Sequence, residues 1–353
     1  MAAEPVGGKE LRAKELGGAE LGGGELEARL ARFSASVAAA GLQPLWTQTR
    51  ELMPPSPAPA TRPHLWRWER VRALAEEAGE LVTVERGGER RALALANPGL
   101  GGAPFASPTL WGAVQYLGPH ETAPAHRHTP VAIRFVLEGE GVWTTVDGHA
   151  CHMHPGDLVL TPGWTFHDHE NGGDTPMLWF DGLDMPLVIA LDAVFYENHP
   201  ELRQPVTHDP PRRGLVYPWG DTDAALDALL AASDSGAVTL EYTDPVSGGP
   251  ALPTLGSEIQ RLRAGTVTPT VRKVGSSVYV VHRGRGTSII DGIRFRWAQG
   301  DMFVVPSWAA LEHEAATDAD LFAITDRPAL VALHLYRERI EAERQRVVAE
   351  FDG

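Results

Sequence analysis

Two stretches of this chain carry the same punctuation in the same order. Glu138-Gly-Glu-Gly141 answers to Arg283-Gly-Arg-Gly286, 145 residues further on (283 − 138). Asp147-Gly148 answers to Asp291-Gly292, Gly156-Asp157 to Gly300-Asp301, and Pro162-Gly-Trp164 to Pro306-Ser-Trp308, each 144 residues on. One residue is therefore lost from the second copy between Gly286 and Asp291. Agreement in order, spacing and turn chemistry marks a duplicated structural unit. Short apolar runs lie between the marks: Ala92–Ala96, Trp111–Leu117, Val131–Leu137, Gly141–Val146, Asp157–Leu160 and Met177–Phe180. They resume from Ile259 to Thr325. Strands recurring every 8–12 residues or so between Gly, Pro and Asp predict an all-β sandwich or barrel. Each copy, of about 80–100 residues, has the size of one compact β-barrel.

The flanks read differently. Residues 1–26 are rich in Gly, Ala, Glu and Leu, and the glycines predict a disordered tail. Leu26, Leu30, Phe33 and Val37 then recur at helical spacing, predicting a helix from Leu26 to Ala40 that Gly41 stops. Pro54, Pro55, Pro57, Pro59 and Pro63 make an extended connector. A second helix is expected from Trp66 to Ala78, with Gly79 past its end. These assignments make residues 27–88 a helical segment, 89–198 a first barrel, and 199–254 a Pro-rich linker and docking region. Residues 255–327 form a second barrel, and 328–353 a C-terminal helix opened by Asp326 as N-cap and Pro328 in its first turn.

Charge and cysteine usage narrow the function. With 31 basic and 46 acidic side chains the net charge is −15, and no basic cluster is present. Phosphate neutralisation needs clustered Lys and Arg, so nucleic acid is not an expected partner. No apolar run approaches the roughly 18 residues of a membrane span. The single cysteine, Cys151, precludes an internal disulfide and any cysteine-built metal site. Met1-Ala-Ala-Glu lacks the basic start of a signal peptide, so a cytoplasmic protein is expected.

Histidines in the first copy carry the chemistry. His126-Arg-His128 sits where a strand is expected, and a period of two turns both imidazoles to one side. His167 follows 39 residues later, just after Pro162-Gly163, and a barrel brings it towards that pair. Three imidazoles on one face bind a divalent first-row metal and leave positions open for ligands, as a catalytic metal requires. In the second copy Val271, Lys273 and Leu311 stand at those places, and only His313 persists, opposite His169. The second barrel is therefore expected to be metal-free. A competing cluster, His149, Cys151, His152 and His154, falls on a predicted hairpin and is read as solvent-facing rather than as a metal site.

At these residues the chain resembles the cupin superfamily. The HxH pair, Gly139 and Gly141, Pro162-Gly163 and the late His167 match its pattern; the usual glutamate after the second histidine is missing, with Ala132, Ile133 and Arg134 in its place. The resemblance narrows to the gentisate 1,2-dioxygenase family. It is carried by Ala125-His-Arg-His-Thr-Pro-Val-Ala-Ile-Arg134, Leu160-Thr-Pro-Gly-Trp-Thr-Phe-His-Asp-His169 and Trp179-Phe-Asp-Gly-Leu-Asp184. Upstream, Pro44-Leu-Trp46, Arg62-Pro-His-Leu-Trp-Arg-Trp68, Glu89-Arg-Arg91 and Asn97-Pro-Gly-Leu100 fit it as well. It implies a bicupin of two jelly-roll barrels and one Fe(II) per chain, held by His126, His128 and His167. The reaction implied is cleavage of an aromatic ortho-hydroxy acid by O2, with gentisate going to maleylpyruvate. Salicylate, 5-nitrosalicylate and other substituted salicylates are the alternative substrates. Arg134, with the strand parity of the histidines, is implied to meet the substrate carboxylate, and His169 to act on the substrate as a proton donor. Trp111, Ala113, Gln115, Asp181 and Arg90 (or its neighbour Arg91) are implied to bind the ring. Ala113 favours gentisate, because a smaller residue at that place accompanies broader substrate use. A homotetramer is also implied. Trp164 and Trp308 are expected to pack as core beside their turns.

Overall fold

The computed structural model describes residues 23–83, 86 and 91–353. The described residues up to Pro55 form one unit and those from Ser56 onward another. The first holds a helix, Gly23–Ala39, a 3₁₀ turn at Leu45–Thr47 and a short helix at Thr49–Leu52. No residue of the first helix is buried. The expected tail of residues 1–26 lies outside the described residues as far as residue 22, and the helix already begins at Gly23.

The second unit is built of four antiparallel-rich sheets, two to each barrel. In the first barrel a six-stranded sheet centred on Ala132–Glu138 and Met177–Leu183 faces a five-stranded sheet holding Thr122–His128 and His167–Asn171. The second barrel repeats the plan with two six-stranded sheets. Alternation explains the three cores. One parity fills the first barrel with Val136, Val159 and Trp179, and the matching parity fills the second with Tyr279, Phe303 and Leu321. The opposite parity of both large sheets meets between the barrels, where Phe135 stacks on Phe322 at 4.1 Å and Ile133, Phe180, Val280 and Ile324 surround them. Asp147-Gly148 and Asp291-Gly292 both take positive φ at both residues, as two-residue hairpin turns require.

The duplication runs further than its sequence marks. Strand His64–Trp66, ahead of the first barrel in sequence, pairs with Met302–Val305 of the second barrel. Val216–Tyr217, ahead of the second barrel, pairs with Leu158–Thr161 of the first. A helix follows each strand, and its start is held by an aspartate of the other barrel. Trp68 N donates to Asp301 Oδ1 at 2.9 Å, and Trp219 N to Asp157 Oδ1 at 2.7 Å. A second exchange mirrors the first. Asp184 accepts from Val131 N of its own barrel and from the Thr254 hydroxyl of the other. Asp326 accepts from Ser276 N and from the Thr109 hydroxyl.

Four expectations are corrected. Residues 199–254, read as a linker, contain the strand Val216–Tyr217, the helix Trp219–Ala231 and the strand Ala237–Glu241, the counterpart of the lead-in to the first barrel. The C-terminal helix of residues 328–353 ends at Ala332; strands Glu338–Ile340 and Ala349–Glu350 follow and pair with the second barrel. Trp164 and Trp308 take positive φ, and Trp164 is 39 % exposed beneath Arg127 rather than in the core. The second helix runs Trp68–Leu81 rather than Trp66–Ala78. Trp66 is held in the strand opposite Met302, and the cap that starts the helix comes from Asp301, remote in sequence.

Candidate metal centre and active site

His126 and His128 lie two apart on strand Thr122–His128 and so share a face; His167 opens the neighbouring strand directly opposite His126. The ring centroids are 4.2 Å (His126–His167), 4.8 Å (His128–His167) and 5.5 Å (His126–His128) apart. One ring nitrogen of each lies within 4.8 Å of the others, and this is the one such group of three potential ligands among the described residues. Each Nδ1 meets a backbone carbonyl: His126 that of Pro124 at 2.9 Å, His128 that of Pro130 at 2.8 Å, His167 that of Thr165 at 3.1 Å. A carbonyl only accepts, so each Nδ1 bears the proton and each Nε2 the lone pair. Burial, with Arg134 and the other histidines adding to it, holds His167 well below the usual histidine pKa and keeps it neutral. Three imidazoles that each present Nε2 to one point fit a divalent metal.

The histidines open into a cavity of about 440 Å³, whose wall also includes Trp111, Gln115, Arg134, His169 and Asp181. Arg134 and Asp181 face each other across the central strands of the large sheet. Arg134 Nη1 donates to Thr161 Oγ1 at 2.5 Å. Its Nε lies 3.4 Å from Asp181 Oδ1. That pair lacks hydrogen-bond alignment, and both atoms are buried without a hydrogen-bond partner. Burial raises the Asp181 carboxyl to about 6 against the pull of Arg134. Two unsatisfied polar atoms on one cavity wall are what a polar ligand group would complete. His169 is buried, with Nδ1 2.8 Å from Thr144 Oγ1 and its ring 5.3 Å from Trp179.

Other expected residues fall differently. Ala113 sits between Trp111 and Gln115 in sequence and opposite Asp181 in the sheet, but it is fully buried and is not among the residues that line the cavity. Arg90 lies outside the described residues. Arg91 is engaged elsewhere, pairing with Glu121 and standing over Tyr116, while Ala92 lines the cavity. The competing cluster does not assemble among the described residues: Cys151 is buried with its thiol pushed up to about 12, and His154 is exposed beside Asp157. In the second barrel Val271 lies opposite Leu311, as His126 does opposite His167, and offers no ligand.

Sequence reasoning missed the outer wall. Strand Tyr196–Asn198 adds to the edge of the histidine strand with Tyr196 opposite His128, and the Tyr196 ring stacks 5.5 Å from that of His126. Val194 and Phe195 complete this wall. Their signal was the apolar run Ala193-Val-Phe-Tyr196 between two turn-forming stretches.

Residues 113–184 match the family model for the cupin domain. The chain is 48 % identical over 328 residues to a gentisate 1,2-dioxygenase from Streptomyces sp, covering 84 % of this chain and 92 % of that one. The chain belongs to the gentisate 1,2-dioxygenase family. A 5-aminosalicylate 1,2-dioxygenase from Comamonas sp is another relative of this dioxygenase, 39 % identical over 90 % of this chain and 92 % of that one. The crystal structure of a salicylate 1,2-dioxygenase from Pseudaminobacter salicylatoxidans superposes with a TM-score of 0.85 at 43 % identity, covering 89 % and 99 % of the two chains. That dioxygenase has also been crystallised as adducts with gentisate. Among the described residues of the present dioxygenase, no helix is long and apolar enough to cross a membrane.

Proposed function

We propose that the chain is an Fe(II) enzyme that opens the ring of gentisate with O2 to give maleylpyruvate, using one iron per chain held by His126, His128 and His167. The observation that carries the reading is the convergence of three imidazoles with the buried Arg134–Asp181 pair in one cavity. Bound Fe(II) supplies chelation of the substrate through carboxylate and adjacent hydroxyl, and a route for electron density from ring to O2. Arg134 orients the carboxylate, since a guanidinium keeps donors beyond the one given to Thr161. Asp181 accepts from the second ring hydroxyl of gentisate, which salicylate lacks. Trp111 and Gln115 flank the ring, and Tyr196 and Phe195 narrow the mouth and keep water out. His169 exchanges a hydrogen bond with the reacting groups. Homologous dioxygenases named for gentisate, salicylate, 5-aminosalicylate and 5-nitrosalicylate support an aromatic ortho-hydroxy acid as the substrate class. A homotetrameric, cytoplasmic enzyme completes the proposal. The test is anaerobic Fe(II) loading followed by oxygen uptake with gentisate, salicylate and 5-nitrosalicylate. Uptake with none of the three would sink it.

A further inference from the structure

Two buried residues in contact with one another, Thr144 and Met153, have no part in the mechanism above, and Thr144 touches His169. Thr144, fully buried, places Oγ1 2.8 Å from His169 Nδ1 and 3.2 Å from Met153 Sδ. The duplication supplies an internal comparison. Moved by 144 residues, Thr144, Met153 and His169 become Ser288, Trp297 and His313. The contacts recur there: Ser288 Oγ is 2.8 Å from His313 Nδ1 and 2.9 Å from Trp297 Nε1. One partner differs in kind. An indole N–H can only donate, whereas a thioether sulfur can only accept.

Each hydroxyl has one proton to give. At Ser288 the Trp297 N–H fills one of the two acceptor positions and offers no acceptor itself, so within the triad only His313 Nδ1 can take the hydroxyl proton. The ring proton of neutral His313 therefore sits on Nε2. At Thr144 the hydroxyl proton is directed to the Met153 sulfur. Thr144 Oγ1 then accepts from His169, whose ring proton sits on Nδ1. That arrangement makes two hydrogen bonds, whereas the other tautomer makes one and leaves the sulfur without a donor. In a buried site the fully connected arrangement is favoured. The two copies thus hold their surviving histidines in opposite tautomers by exchanging one residue, Met for Trp.

We infer that Thr144 and Met153 are positioning residues that hold a proton on His169 Nδ1, so that Nε2 meets the substrate as a hydrogen-bond acceptor. The inference rests on the reading of the cavity as a hydroxybenzoate site, and it names what that site recognises: a ring hydroxyl that donates. It also refines the role of His169, which receives a hydrogen bond from the bound substrate rather than giving one.

Met153→Leu tests this, because it keeps the volume nearly unchanged yet removes the sulfur that accepts the Thr144 proton. Histidine-selective ¹⁵N NMR of the full chain, loaded with Zn(II) as a diamagnetic probe and assigned with His169→Gln, reads which ring nitrogen carries the proton. Expected is Nδ1–H in wild type and Nε2–H in Met153→Leu. In the iron-loaded enzyme kcat should fall about 10- to 100-fold, at or below the low end of acid–base contributions, with iron content unchanged. Thr144→Val should lose kcat likewise, and Thr144→Ser should restore it. Nε2–H in wild type, an unmoved proton in Met153→Leu, or wild-type kcat in Thr144→Val would each overturn the inference. Absence of hydroxybenzoate turnover in wild type would instead overturn the functional reading, since the nitrogen assignment is read without substrate.

Discussion

Removing the Arg134 guanidinium separates two roles that one buried charge can play. At 3.4 Å from Asp181, and with an effective dielectric constant of 20, the attraction is about 5 kcal/mol before desolvation. Burial offsets much of it, since the Asp181 carboxyl titrates at about 6 despite its positive neighbour. Arg134→Ala leaves Asp181 buried and unpaired, for which about 3 kcal/mol of lost stability is expected, the lower end for breaking a buried pair. Substrate affinity should fall by a further, independent 2–5 kcal/mol or so, the range for truncating one partner of a buried charge pair across an interface. Adding Asp181→Asn removes the stranded carboxyl. In the double variant stability should largely return while affinity for salicylate, which has no second hydroxyl for Asp181, stays weak. Urea unfolding measures the first quantity, and anaerobic titration of the iron-loaded protein with salicylate the second. If affinity recovers together with stability, or never falls in Arg134→Ala, then Arg134 is a structural counter-ion and the carboxylate contact assigned to it is wrong.

Metal analysis of fully loaded protein should give one iron per chain, and His126→Ala, His128→Ala or His167→Ala should each lose it; two irons per chain would contradict the metal-free second barrel. Gentisate should exceed salicylate in kcat/KM, because a site built to bond a hydroxyl rejects the analogue lacking it, and Asp181→Ala should narrow the gap. Faster oxygen uptake with 5-nitrosalicylate than with gentisate would reverse the substrate assignment. The Asp181 carboxyl is raised from 3.8 to about 6 in the folded chain, so the native state binds its proton more tightly than the unfolded state. Stability from this group is present below about pH 4 and lost as pH rises to about 6, a difference of roughly 3 kcal/mol. Asp181→Asn should lack that slope in pH-dependent urea unfolding, and a slope equal to wild type would refute the assignment.

Local chemistry was legible in the sequence, and pairings across distance were not. The strand Trp111–Leu117 and the shared face of His126 and His128 follow from a period of two, which needs no knowledge of the partner. The turns at Asp147-Gly148 and Asp291-Gly292 follow from residues that tolerate positive φ. The helix start at Trp68 was misplaced because its cap, Asp301, lies 233 residues away. The C-terminal segment was misread for a similar reason. Asp326 and Pro328 do open a helix, but Glu338–Ile340 is claimed by the edge strand Val271–Lys273. Ala113 has the right parity for the pocket, yet parity fixes a face and not a depth, and its side chain is fully buried.

The exchange of lead-in strands bears on how a duplicated gene can decay. Once His64–Trp66 pairs into the second barrel and Val216–Tyr217 into the first, neither half of the coding sequence specifies a closed protein. A truncated product with the metal histidines alone would expose the edge at Leu158–Thr161 and strand Asp157 and Asp184 without Trp219 and Thr254. The copy without the three histidines is tied to its twin by what it lends it. Deleting the second copy would therefore cost the first its added strand and the partners of both aspartates, whatever side chains stand at Val271, Lys273 and Leu311.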